Sequence, residues 1–163
     1  MNRRRRLLVA LGACALGSPL PPLAQPATKI WRVGFLGAAS ASGFARWVEA
    51  LRSGLRDLGY VEGKNLVIEF RWAEGKYERL SELAAELVRL KVDVIVTHGP
   101  ATRAAKAATT TIPIVMAVSA DPVALGLVAS LARPGGNVTG MANLSPAVTA
   151  KRLELLKDAF PRT

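Results

Sequence analysis

The chain is 163 residues long, which suits one globular domain and leaves no room for a second of ordinary size. Hydrophobic residues make up 50% and charged residues 21%, a balance that excludes a disordered chain. The net charge of +10 does not indicate nucleic-acid binding: Arg3, Arg4, Arg5 and Arg6 carry four of those charges, and the remaining +6 is scattered among twelve carboxylates with no basic run or basic face.

Those four arginines precede Leu7 to Leu16, an apolar stretch too short to cross a bilayer but of the length of a signal h-region. Pro19, Pro21 and Pro22 break any helix there, and Ala24 and Ala27 offer cleavage positions. Residues 1–27 therefore read as an export signal and residues 28–163 as the exported domain, with a periplasmic destination. Three export routes are open. Besides a general secretory signal, Arg4-Arg5 before Arg6-Leu7-Leu8 resembles a twin-arginine signal, and Leu11-Gly12-Ala13-Cys14 resembles a lipoprotein box in which Cys14 would carry a lipid anchor. Cys14 is the single cysteine, so the exported domain has no disulfide and must be stabilised by its core.

Trp31 to Leu36 predicts a first strand, running into the small residues Gly37 to Ser42. Phe44, Val48, Leu51, Leu55 and Leu58 recur at helical steps and predict a helix over Gly43 to Leu58, capped by Ser42 and stopped by Gly59. Leu66 to Trp72 alternates apolar and polar residues as an edge strand does. A helix is expected from Tyr77 to Leu90, a third strand over Val92 to Val96, and a short Ala-rich helix from Ala101 to Thr109. The run from Ile112 to Gly140 reads as a complete β-α-β unit: an apolar strand to Val118, a helix capped by Asp121 with Pro122 in its first turn, and a fifth strand over Asn137 to Met141. Ser145-Pro146 opens a last helix through Leu153, Leu156 and Phe160.

Five strands alternating with five helices predict an α/β fold: a doubly wound parallel five-stranded sheet of flavodoxin-like order 2-1-3-4-5, with its ligand crevice where the winding reverses. Three small-residue loops should meet there: Gly37 to Gly43, Thr97 to Ala101 and Ser119 to Pro122. Each is expected to open a helix, and each helix end is worth roughly 0.3 to 1 kcal/mol to a nearby anion. The candidate ligand-binding residues are Ser40, Ser42, Thr97, His98, Gly99, Pro100, Ala101, Ser119, Ala120 and Asp121. Several have ordinary structural alternatives: Ser40 and Ser42 as helix caps, Thr97 as a strand end, Asp121 as an N-cap. Trp47 and Trp72 read as cover for a helix or sheet rather than as binding platforms.

Enzyme chemistry finds little support. His98 is the only histidine and has no Cys or carboxylate cluster at ligand spacing, so neither a metal nor a cofactor is expected. Gly34-Phe35-Leu36-Gly37 lacks the dinucleotide glycine order, and no phosphate loop or nucleophile elbow is present. A receiver domain would need acidic residues after strands one and three, where this chain has serines and His98. His98 and Asp121 are the sole candidates for an acid–base pair.

The string Ser130-Leu131-Ala132-Arg133-Pro134-Gly135-Gly136-Asn137-Val138-Thr139-Gly140, with Asp121-Pro122-Val123 before it and Lys151-Arg152-Leu153-Glu154-Leu155-Leu156-Lys157 after it, closely resembles ABC-transporter substrate-binding proteins of the TrpX-like type. Arg32 to Leu36 and Leu55 to Leu66 resemble the same family. The resemblance implies one lobe of a type 1 periplasmic binding protein, an importer's solute-binding component that is not an enzyme. It further implies a small-molecule ligand, for several relatives an aromatic amino acid, and permease and ATPase partners. Membrane contact would come only through the permease or the anchor at Cys14. Family members carry a second lobe of similar size, so the chain is expected to be the N-terminal lobe, with weak or absent ligand affinity by itself. The alternative is an exported flavodoxin-like enzyme or sensory domain that shares the sheet order.

Overall fold

The structure is a computed structural model that describes residues 29–143 and 145–160. The expected export signal over residues 1–27, with Cys14, lies outside the described residues. Strands β1 (Trp31–Gly37), β2 (Leu66–Trp72), β3 (Val94–His98), β4 (Ile114–Ser119) and β5 (Val138–Ala142) form one sheet of order β2-β1-β3-β4-β5. Every pairing is parallel. The helices among the described residues are α1 (Ala41–Asp57), α2 (Leu80–Arg89), preceded by a 3-10 turn over Tyr77–Arg79, α3 (Ala101–Ala108) and α4 (Ser145–Ala159).

The sheet separates two apolar cores. On one face, Leu83, Leu87, Ala101 and Ala105 from α2 and α3 pack with Leu36, Ile95, Ile114 and Met116. On the other, Phe44, Leu51 and Leu55 of α1 cover Val33, Phe35, Leu66, Ile68 and Val96. Leu36, Leu87, Ile95 and Ile114 are fully buried, and each such side chain contributes about 1.5–3 kcal/mol by leaving water. β1 is buried on both faces along Val33–Gly37, which is why it reads in the sequence as a continuous apolar run.

Three expectations are corrected. The crossover between β4 and β5 holds no helix. It makes one turn, in which Leu125 N–H donates to Asp121 O at 3.1 Å and Leu127 N–H to Pro122 O at 2.8 Å. Gly126 then enters the left-handed region at φ 66°, and Lys106 Nζ takes the carbonyl oxygens of Gly126 (2.7 Å) and Leu127 (3.0 Å) that a continuing helix would have used. Both Leu127 and Val128 enter the core, which two consecutive residues on a single helical stripe would not do so evenly. The loop Ser119 to Pro122 therefore opens no helix and offers no helix dipole.

β3 begins two residues later than expected and runs through His98, so Thr97 and His98 belong to the strand. Asp93 is held before it: its N–H donates to Arg32 O at 2.7 Å and its carboxylate accepts Arg32 N–H at 2.8 Å. The cap of α1 is Ser40, not Ser42: Ser40 Oγ accepts Gly43 N–H at 3.3 Å, and Ser42 Oγ lies 3.1 Å from it.

Candidate functional site

Because all five strands run parallel, their C-terminal ends lie on one rim, and the loops after β1, β3 and β4 emerge there together. The loop after β1 is short and closes on Ser40 as the α1 cap, so the Ser40 and Ser42 hydroxyls sit side by side at this rim. Phe44, one turn into α1, meets His98 at the end of β3, with ring centroids 4.8 Å apart in an edge-on arrangement. That contact joins the first loop to the third strand.

The sequence-selected residues divide among three environments. Gly99, Pro100, Ser119 and Ala120 line a cavity of about 390 Å³, together with Arg103, Leu125 and Leu127. This volume falls in the range of small-molecule sites. The turn that forms its floor needs Gly99 in the left-handed region at φ 58°, and Gly99 N–H donates to Val118 O at 3.2 Å, tying the β3 loop to the tip of β4. His98 lies on the other face of the sheet, in a smaller apolar cavity of about 140 Å³ that includes Phe44, Trp47, Val118 and Met141. Thr97 and Ala101 are fully buried, and the Thr97 hydroxyl is 2.9 Å from that of Thr102. Those two residues hold the loop and present no side-chain surface at the rim.

Asp121 is half-buried, and its Oδ1 accepts the N–H groups of Val123 at 3.0 Å and Ala124 at 3.1 Å. It caps the single turn as an N-cap aspartate does. It lines neither cavity, so His98 and Asp121 do not converge on one point, and the geometry assembles no acid–base pair from them. Among the described residues no group of three or more His, Cys, Asp or Glu is placed to hold a metal ion.

Ser119 is 2% exposed and its Oγ has no hydrogen-bond partner. A buried hydroxyl is usually paired, so this one marks the cavity as a place where a donor or acceptor is wanted. The sequence reading missed Arg103, Leu125 and Leu127. Arg103 stands in the first turn of a helix expected to open at the rim, which is a legible signal. Leu125 carried none, and Leu127 falls at helical spacing from Val123 and Leu131 in the crossover helix that was expected and does not form. Trp47, read as cover, is 57% exposed at the edge of the smaller cavity. Asn137 donates its amide to Thr109 O and Ile112 O at the opposite, N-terminal end of the strands.

The family model for ABC transporter substrate binding proteins matches residues 33–163. Among curated proteins, the chain is 39% identical over 109 residues to a tyrosine-binding protein of Clostridioides difficile, covering 66% of this chain and 31% of that one. A solved structure of a conserved domain protein from Vibrio cholerae superposes with a TM-score of 0.70 at 35% identity, over 82% of this chain and 45% of that one. A Streptococcus ABC domain in complex with L-Trp superposes with a TM-score of 0.68 at 30% identity, over 78% of this chain and 42% of that one. The open, ligand-free form of an adhesive substrate binding protein from Clostridium difficile gives 0.70 at 30% identity, with 82% and 45% covered. The chain thus spans less than half the length of each of these proteins. With its parallel sheet, its rim of loops and a family match over residues 33–163, the chain belongs to the ABC transporter substrate binding protein family.

Proposed function

We propose that the chain is a solute-binding lobe of an ABC importer, non-catalytic, that presents the loops after β1, β3 and β4 to a small organic ligand. The observation that carries the reading is the cavity at the tips of β3 and β4, which gathers two of the three loops around an unpaired Ser119 hydroxyl. In this reading Gly99, Pro100, Ser119 and Ala120 line the ligand cavity, Ser40 and Ser42 after β1 and His98 at the end of β3 border it, Asp121 caps the turn beside it, and Thr97 and Ala101 position its backbone. The names of a tyrosine-binding relative and an L-Trp complex support an aromatic amino acid as the ligand. The ligand sits between this lobe and a second one, as the greater length of the relatives suggests, and permease and ATPase subunits are the partners.

The protein works outside the cytoplasm, delivered by an export signal over residues 1–27, and touches the membrane through the permease or a lipid at Cys14. Among the described residues no helix is long and apolar enough to cross a membrane. An enzyme or sensory role draws no support from the rim, where His98 and Asp121 stand apart.

The test is a nitrogen-15 NMR titration of the 163-residue chain with L-tyrosine and L-tryptophan, with L-lysine as control. Millimolar binding that shifts the amides of Gly99, Ser119 and Ala120 supports the reading. Shifts confined to other surfaces, or none, count against it. Micromolar or tighter affinity would remove the need for a second lobe.

A further inference from the structure

Arg103 is the one charged side chain in the lining of the larger cavity. Its guanidinium makes a single hydrogen bond among the described residues, Nη2 to the Leu125 carbonyl oxygen at 3.4 Å, beyond the usual range for such a bond. Arg103 is exposed, and no carboxylate among the described residues lies within ion-pair distance of it. The same cavity holds the buried Ser119 hydroxyl without a partner. A buried hydroxyl is ordinarily hydrogen-bonded, so the Ser119 Oγ is available to donate to an acceptor that enters the cavity. α3 begins beside Gly99 and Pro100, so its positive end adds to the same field.

No acid offsets these groups. The remaining lining is Gly99, Pro100, Ala120, Leu125 and Leu127, and Asp121 lies outside it with Oδ1 committed to the turn. We propose that the cavity is an anion subsite in which Arg103 determines specificity, pairing with a ligand carboxylate while the Ser119 hydroxyl donates to the same group. It rests on the reading of the rim as the ligand site and names the chemistry selected there. Since no carboxylate stands in the lining to pair with an ammonium group, the charge selection falls on the ligand's acid, and this lobe recognises organic carboxylates as a class. An arylpropionate without an amine binds it as well as the corresponding amino acid does.

Acetate, 3-phenylpropionate and methylammonium are titrated in turn into the nitrogen-15-labelled chain. The two carboxylates are expected to shift the amides of Gly99, Thr102, Arg103, Ser119 and Ala120, and methylammonium is expected to leave them in place. Arg103→Gln should weaken both carboxylates about tenfold or more, Arg103→Lys should restore part of that loss, and Ser119→Ala should weaken them by a smaller factor. Unchanged resonances elsewhere in each variant show that it folds. Equal acetate affinity in Arg103→Gln, an equal response to methylammonium, or no acetate response at the rim overturns the subsite. Acetate binding that depends on Arg103, without any response to tyrosine or tryptophan, keeps the subsite and removes the aromatic amino acid as ligand.

Discussion

The hydroxyl of Thr97 on β3 lies 2.9 Å from the hydroxyl of Thr102 on α3, and both residues are fully buried. The pair pins the first turn of α3 to the strand that leads into the candidate site. Removing one partner strands the other in an apolar core, which costs about 1–3 kcal/mol, while removing both together is nearly neutral. Thr97→Val and Thr102→Val should each lower the urea midpoint, and the double variant should recover most of the loss. Additive losses in that cycle would mean that the two hydroxyls do not act as a pair.

Asp93 predicts a pH dependence at the end of the sheet opposite the rim, just before β3. The Lys29 ammonium, 2.8 Å from Oδ1, and the Arg32 N–H hold its carboxyl below the ordinary aspartate value, against a smaller opposing effect of burial. A depressed folded-state pKa means that the stabilisation is complete above the unfolded value near ~4 and is lost as pH falls through the lower folded value. Asp93→Asn should therefore cost about 1 kcal/mol at neutral pH, with screening by solvent limiting the figure, and little in strong acid. Parallel unfolding curves for the two proteins across that acidic window would contradict the assignment.

Lys106 should govern the turn that replaces the expected crossover helix. Its ammonium satisfies the carbonyl oxygens of Gly126 and Leu127. In Lys106→Met, hydrogen exchange at Leu125, Leu127 and Val128 should accelerate, with a global loss of about 1–2 kcal/mol. An increase in helicity by circular dichroism would show instead that the lysine holds back a helix that this segment prefers.

Leu87 and Leu156 should respond oppositely to truncation. Leu87 is fully buried between α2 and the sheet, whereas Leu156 on α4 is 57% exposed. Leu87→Ala should cost about 2–5 kcal/mol and Leu156→Ala less than about 0.5 kcal/mol in denaturant titrations. A large loss at Leu156 would reveal packing of α4 on a surface it leaves open in this structure.

Much of the architecture was legible because it rests on patterns that short stretches of chain carry by themselves. The apolar run of β1, the alternation of Leu66, Ile68 and Phe70 on β2, and the helical spacing of Phe44, Val48, Leu51 and Leu55 each specify an element without reference to the rest. The requirement that consecutive parallel strands connect through crossovers then led to the observed order β2-β1-β3-β4-β5. The convergence of the loops on one rim follows from that order together with the parallel direction of every strand.

What the tertiary structure alone decided is where long-range partners outweigh local preference. Residues 121–132 have a helix cap in Asp121, a first-turn proline and Val123, Leu127 and Leu131 at helical spacing, yet a lysine from α3 takes the carbonyl oxygens of Gly126 and Leu127 and a left-handed glycine ends the first turn. Thr97 reads as a rim residue until Thr102 claims its hydroxyl, and Ser119 reads like any other loop serine until packing buries it without a partner. Helix and strand patterns are properties of neighbours in sequence; the guanidinium of Arg103 lining one cavity with the unpaired hydroxyl of Ser119 is a property of neighbours in space.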